Sequence, residues 1–447
     1  MKSVDGFRDM HENRYILNNR SDFLSDHYIK WEKLDNTANL FPVIAGERMT
    51  NTYRICCELN EVIQPDLLQR AVDIVTPKFP GFNLRLRTGI FWYYFEENGK
   101  KAPEVVLEST YPCRLIHPNR NRSYLFRVTY FKKRINLEVF HVLADGMGGI
   151  IFLRELTYQY LRLAHPELSE KLGDGLSDET SLNREDSFLR NFRKASPAQY
   201  KAGKAFTIPG EKLPYGAFGV ITGTLSVQDL KKVVKEKYHT TINDYIVAAF
   251  IYSTYRNYPN GVSKNRPIRV AVPVNLRPYF QSQTTKNFFV MVSAEFIPEK
   301  NDYSFEEIVE ITKSSLAEQM TKENLESIFS YNVANQKILV ARAVPLPLKN
   351  AAMRFIYNKT ASANTTTITN IGRITVEEDY KAYIRSFYSF LPFSLGQNLK
   401  AAVTSYEDRL IVAFTSALID TSIVRDVFRQ MSEDGLHIEI ETNGVFQ

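Results

Sequence analysis

The stretch "HVLADGMGG" places His141 in a His-x-x-x-Asp pattern with Asp145, followed at once by Gly146 and then Gly148 and Gly149. The chain has seven histidines, and an imidazole beside a carboxylate and a glycine-rich turn admits three chemistries. A His and an Asp one helical turn apart can hold a metal. A histidine at a strand end can serve as a general base. The third reading is structural, a buried histidine on an apolar strand face followed by a turn.

The flanking residues bear on these choices. "INLEVFHVL" alternates, with Ile135, Leu137, Val139 and His141 on one face, which is a strand pattern. "IIFLRELTYQYLRLA" after it is a strongly apolar helix, expected to start near Gly149. His141 and Asp145 therefore straddle a strand end and a turn, not one helix face, and no second His or Cys cluster stands nearby. No metal site is expected. The glycines leave the turn bare enough for another molecule's backbone or a substrate to approach, and the helix start brings N–H groups and a positive dipole end toward the imidazole.

Further along, helical spacing marks 65–80, 227–238, 242–258, 304–320 and 421–435. Strands are read in 123–143, 219–230, 267–280, 287–298, 365–374 and 401–418. The mixture in both halves predicts an α/β class with mixed sheets and a sheet in each lobe. Between Pro166 and Gly216 the periodicity fails, and an acidic stretch gives way to a basic one. This segment is expected to be a surface connector. The division is then 1–165 as N-terminal lobe, 166–216 as crossover linker and 217–447 as C-terminal lobe.

With 447 residues the chain exceeds a single core. Its net charge of +6 is spread out, without the dense basic stripe of a nucleic-acid binder. Three cysteines, Cys56, Cys57 and Cys113, build no disulfide framework and point to a reducing, cytoplasmic setting. No apolar run is long enough to span a membrane, and the polar N-terminus lacks a signal-peptide core.

"HVLADGMGG", ending a strand and opening a helix, resembles the His-x-x-x-Asp-Gly signature of the chloramphenicol acetyltransferase-like acyltransferases. That superfamily includes condensation domains, wax-ester synthases and alcohol acetyltransferases. "KLDNTANLFP" (33–42), "TTINDYIVAA" (240–249), "VAVPVNLRPYF" (270–280) with "NFF" (287–289), and "TITNIGRI" (367–374) are similar to family segments in the same order. The likeness runs from about residue 22 to the end. It implies two similar lobes with a tunnel at their interface, and transfer of an acyl group from acyl-CoA to an alcohol or amine. His141 would be the base, with Asp145 and Gly146 completing the motif. Arg277 in "VNLRPYF" matches the arginine that pairs with the motif's aspartate; a surface role beside Pro278 is the alternative. Asn287, Thr369 and Asn370 are the candidates for substrate or oxyanion contacts.

Acyl-CoA enters as co-substrate, with no tightly bound cofactor, and a monomer is expected. Two departures count: Phe140 stands where condensation domains carry a first histidine, and "PFSLGQN" (392–398) replaces the plant branch's Asp-Phe-Gly-Trp-Gly. The competing readings are a condensation-type protein fed by an acyl carrier protein, and a non-catalytic member that binds a thioester or partner.

Overall fold

A computed structural model describes residues 31–172, 183–193, 203–337 and 343–446. The strands that carry the site are β1 (Thr52–Leu59), β2 (Phe126–Phe131), β3 (Arg134–Phe140), β4 (Gly219–Ser226), β5 (Ile268–Asn275), β6 (Phe289–Phe296), β7 (Thr366–Ile374), β8 (Ile384–Phe390), β9 (Leu399–Tyr406) and β10 (Arg409–Ser416). The helices that matter are α1 (Pro65–Lys78), α2 (Gly146–Ala164), α3 (Ile242–Asn257), α4 (Phe305–Gln319) and α5 (Leu346–Thr360).

Two sheets dominate. The first runs β8-β1-β3-β2 and ends on the short strand Val106–Leu107; the second runs β6-β5-β7-β9-β10-β4 and ends on Glu439–Thr442. β7 is parallel to both of its neighbours, β5 and β9, while β9, β10 and β4 are antiparallel. The class is mixed α/β, as the alternating pattern predicts. A separate three-stranded sheet carries Trp31–Lys33, Leu84–Thr88 and Tyr93–Glu97.

Each sheet buries one face under helices. Ile135, Leu137 and Val139 of β3 join the core beneath α1 and α2, with Leu68, Val72, Phe152 and Leu156. In the second sheet Val270, Val272, Leu399, Ala401 and Val403 pack with Ile246 and Phe250 of α3 and Ile308 of α4. The period-two alternation of strands then turns Lys400, Ala402 and Thr404 of β9 the other way. Thr404 meets β8 there, its Oγ1 lying 3.2 Å from Ser389 Oγ. β8 comes from the second half of the chain but pairs with β1 of the first sheet, Phe387 opposite Cys57.

The connector between the halves is docked where it is described. Phe188, Phe206 and Ile208 are buried in the second core, so the reading of 166–216 as a solvated surface segment does not hold for these stretches. Their apolar residues are too sparse to show a period, which is why the pattern looked like open loop. Among the described residues no helix is long and apolar enough to cross a membrane, and no group of three or more His, Cys, Asp or Glu is disposed to hold a metal ion. The three cysteines are free and buried.

Candidate active site

β3 ends at Phe140, and one more strand-like bond, from His141 N to Asn51 O at 2.8 Å, fixes the backbone of the next residue. The imidazole is held in an aromatic slot. Phe41 stacks on it with ring centroids 4.5 Å apart, Tyr53 presents its edge at 5.1 Å, and Phe289 of the second sheet stands at 5.7 Å. This surround removes water from the ring and moves its pKa below the ordinary 6.5, against the pull of Asp145 and the Asn287 hydrogen bond; the charge of Lys400 pushes the same way as burial. The ring is neutral at physiological pH, and His141 as a residue is half-buried.

Its tautomer follows from two hydrogen bonds. His141 Nδ1 lies 3.0 Å from Asn287 Oδ1, and Asn287 Nδ2 donates to Asp35 Oδ2 at 3.0 Å. An ionised carboxylate only accepts, so the amide nitrogen must face Asp35 and the amide oxygen must face the ring. Nδ1 then carries the proton and Nε2 keeps the lone pair. Asp35 is itself anchored by Ala38 N at 2.7 Å. Burial raises the Asp35 pKa to about 6, opposed by its bonds from Asn287 and Ala38.

Asp145 points away from the ring. It caps α2, accepting from Gly148 N at 3.0 Å, so the helix starts at Gly146, three residues earlier than its apolar run suggests. The same carboxylate takes a two-pronged contact from Arg277, at 2.9 and 3.1 Å, and a bond from Phe288 N at 3.0 Å. Arg277 spends its remaining donors on Thr284 O, Lys286 O and Asn275 Oδ1. Asp145 is buried and Arg277 nearly so. The pair ties the turn after β3 to the loop before β6, the loop that delivers Asn287. Tyr53 completes the turn by donating to Asp145 O at 2.7 Å.

The glycines have unequal duties. A Cβ at Gly148 would lie 2.3 Å from the Thr285 carbonyl oxygen, and one at Gly149 would lie 2.7 Å from Tyr53 Oη. The bareness read from sequence as room for a ligand is filled here by the chain's own backbone and a tyrosine. Gly146 is different: its added Cβ would meet only Ile371 Cδ1 at 3.8 Å, and it faces β7.

β7 carries Thr369 and Asn370. Thr369 is in register with Ala402, and the pairing slips between Asn370 and Gly372, where Asn370 Oδ1 accepts from Gly372 N at 2.9 Å. Asn370 and Gly372 border a cavity of about 640 Å³ whose walls include Thr241, Asn243, Asp244, Asn275 and Lys313. Thr241 is the cap of α3, accepting from Asp244 N. Asn275 pairs in register with Phe289, so the cavity wall is one side chain from the imidazole's surround.

The structure thus brings His141, Asn287, Asp145, Arg277 and Gly146 together and sets Thr369 and Asn370 on the neighbouring strand. Reading the residues alone missed Asp35, Phe41 and Tyr53. Asp35 and Phe41 sit inside "KLDNTANLFP", whose family-like character was the one available signal.

The sequence matches no family model and no curated protein. Solved structures do match. The wax ester synthase/diacylglycerol acyltransferase of Marinobacter aquaeolei VT8 aligns with a TM-score of 0.54 at 15% identity, over 90% of this chain and 98% of its own. The trichothecene 15-O-acetyltransferase TRI3 of Fusarium sporotrichioides aligns at 0.58 and 10% identity, over 92% and 98%. The starter condensation domain of rhizomide synthetase RzmA, solved with C8-CoA, aligns at 0.59 and 12% identity, over 90% and 94%. The fold is chloramphenicol acetyltransferase-like. At these identities the likeness establishes the two-lobed architecture, and the chemistry has to be argued from the side chains.

Proposed function

We propose that the chain is an acyltransferase that moves an acyl group from acyl-CoA to an alcohol or amine, with neutral His141 as general base. The observation that carries this reading is the Asp35–Asn287–His141 chain of hydrogen bonds, which leaves the Nε2 lone pair directed away from its anchors. In the proposed step Nε2 removes the acceptor's proton as the oxygen or nitrogen attacks the thioester carbon. The tetrahedral intermediate collapses with loss of the C–S bond, and the imidazolium returns the proton to the departing thiolate. Base catalysis of this kind contributes about 10²–10⁴-fold.

Charge on the tetrahedral oxygen needs donors, each worth roughly 3–4 kcal/mol when well placed. The Gly146 backbone N–H, at the first turn of α2, and the Thr369 and Asn370 side chains are assigned that duty. Asn287 is assigned to positioning, because both ends of its amide are already engaged. The N-terminal lobe (1–165) supplies the base, and the C-terminal lobe (217–447) orients it. The cavity beside Asn370 and Asn275 is assigned to the thioester donor; a condensation domain of this fold has been solved with C8-CoA bound.

The test compares wild type with His141→Ala on acetyl-CoA and longer acyl-CoAs, following release of free thiol and acyl transfer. A drop of about 10²–10⁴-fold is expected. Equal thiol release by the two proteins would remove His141 from the chemistry, and activity only with a carrier-protein-bound acyl group would reassign the donor.

A further inference from the structure

The replaced motif at 392–398 leads into a second polar cluster. Lys400 opens β9 and is 6% exposed. Its neighbours in the sheet are uncharged: Thr415 stands opposite on β10, and Thr367 precedes the Ile368–Ala401 pair on β7. Leu399 and Ala401 enter the core under the helices, so Lys400 faces the other lobe. Its Nζ donates to Ser394 Oγ at 2.5 Å, and among the described residues it makes no ion pair with a carboxylate. Cys113 acts on it electrostatically, and that thiol is held protonated by burial, while His141 feels the Lys400 charge. Burial takes the amine's pKa down to about 7.

A lysine amine buried without a counter-ion is a costly feature, and an apolar side chain of the same length would suit the fold at least as well. The surroundings suggest what completes it. Ser394 comes from a tight turn closed by Gln397 N to Ser394 O, and Tyr357 of α5 lies beside it, its hydroxyl donating to Met49 Sδ at 3.1 Å. Both are half-buried, so the cluster has hydroxyls at its mouth and a cation at its base. Two hydrogen-bond donors, Lys400 Nζ and Ser394 Oγ, with no acidic neighbour match a carboxylate, which only accepts.

The cluster's place along β7 assigns it a side. Thr367, beside Lys400, is at the start of the strand; Asn370 and Gly372, on the 640 Å³ cavity, are farther along it. The cation and the cavity therefore lie toward different ends of β7, the cation on the face toward the other lobe and the cavity reaching the α3 and α4 side, where Val272, Val274 and Leu316 line it. We propose that Lys400 and Ser394 bind the carboxylate of the acceptor, which makes the acceptor a hydroxy acid or an amino acid and not a neutral alcohol. This rests on the acyltransferase reading for its site and on the cavity for the donor's side.

Calorimetry with straight-chain hydroxy and amino acids, each paired with its methyl ester, tests the site without turnover. Wild type is expected to prefer an acid over its ester by about tenfold to a hundredfold, the range for a charge-assisted contact. Lys400→Met is expected to erase that preference, leave ester binding unchanged and keep or raise the thermal midpoint. Ser394→Ala, which keeps the charge, is expected to weaken it only partly. No preference for any acid, or a preference that survives Lys400→Met, overturns the anion site. Transfer that depends on His141 with acid and ester used equally also overturns the site and leaves the acyltransferase reading standing. An acid preference lost in Lys400→Met with no His141-dependent transfer does the reverse: the anion site stands, and its role in acceptor binding falls.

Discussion

Asp145→Asn discriminates a structural carboxylate from a chemical one. The native group accepts four hydrogen bonds, from Gly148 N, Phe288 N and both terminal nitrogens of Arg277. An asparagine can keep the Gly148 and one Arg277 contact through its oxygen. Its NH₂ would then face Phe288 N–H and the other guanidinium nitrogen, donors against donors, and Arg277 would be left a buried charge without its counter-ion. Breaking one side of such a pair costs about 3–5 kcal/mol, a fifth or more of the roughly 5–15 kcal/mol that holds a typical domain together. Denaturant unfolding of wild type and variant, followed by tryptophan fluorescence, should show the unfolding free energy fall by that amount, with a lower midpoint at constant slope. Removing both charges, Asp145→Asn with Arg277→Leu, should be less damaging than the two single losses summed. If Asp145→Asn unfolds at the wild-type midpoint yet loses turnover, the carboxylate acts in the chemistry and the structural assignment is wrong.

Other outcomes follow from the same geometry. Because burial moves the His141 pKa below 6.5, the acid limb of kcat/KM should fall below pH 6.5 with a one-proton slope, and a limb above that value contradicts a neutral buried base. The stability sign is the same: the unfolded chain binds this proton more readily, so His141's contribution is present above 6.5 and lost as pH falls. Asp35 has the opposite sign, since its folded pKa of about 6 exceeds the ordinary 3.8; its contribution is full below 3.8 and lost as pH rises through about 6. Asn287→Leu frees the ring to protonate at Nε2 and should lower kcat about 10²-fold or more with little change in KM; an unchanged kcat dismisses the hydrogen-bond chain. Gly148→Ala should abolish soluble expression or unfold well below wild type, because its Cβ meets the Thr285 carbonyl at 2.3 Å, whereas Gly146→Ala, with 3.8 Å to Ile371, should fold normally.

What the amino-acid order disclosed depended on whether a signal was local. Helices over 65–78, 242–257 and 305–319 and strands over 289–296 and 366–374 match the read boundaries within a few residues, since each carries its own apolar period. β8 declared itself as no strand, and its membership of the first sheet is set by a partner, β1, more than three hundred residues earlier in the chain. The connector failed for a related reason: Phe188 and Ile208 are lone apolar anchors whose burial depends on a core built elsewhere. At the site His141 and Asp145 stood out by spacing. Asp35 did not, because its meaning arises from an amide 252 residues away. The glycines after Asp145 were seen, but what fills the space beside them, Thr285 and Tyr53, is tertiary information.

The division of labour across the seam has a consequence for how such a site is kept active. His141 belongs to the first sheet, yet the atom that fixes its tautomer, Asn287 Oδ1, arrives from the second. The imidazole's own backbone cannot supply that orientation. A small slip between the lobes would separate Nδ1 from the amide and leave the ring free to protonate at Nε2, turning the proposed base off with every catalytic residue still present. Asp145 and Arg277 lie where such a slip would first be felt, because their contact joins the residue four past His141 to the loop that ends at Asn287. On the proposed mechanism the ion pair would act on the chemistry through registration, making the correct docking of two lobes the condition for a lone pair at Nε2.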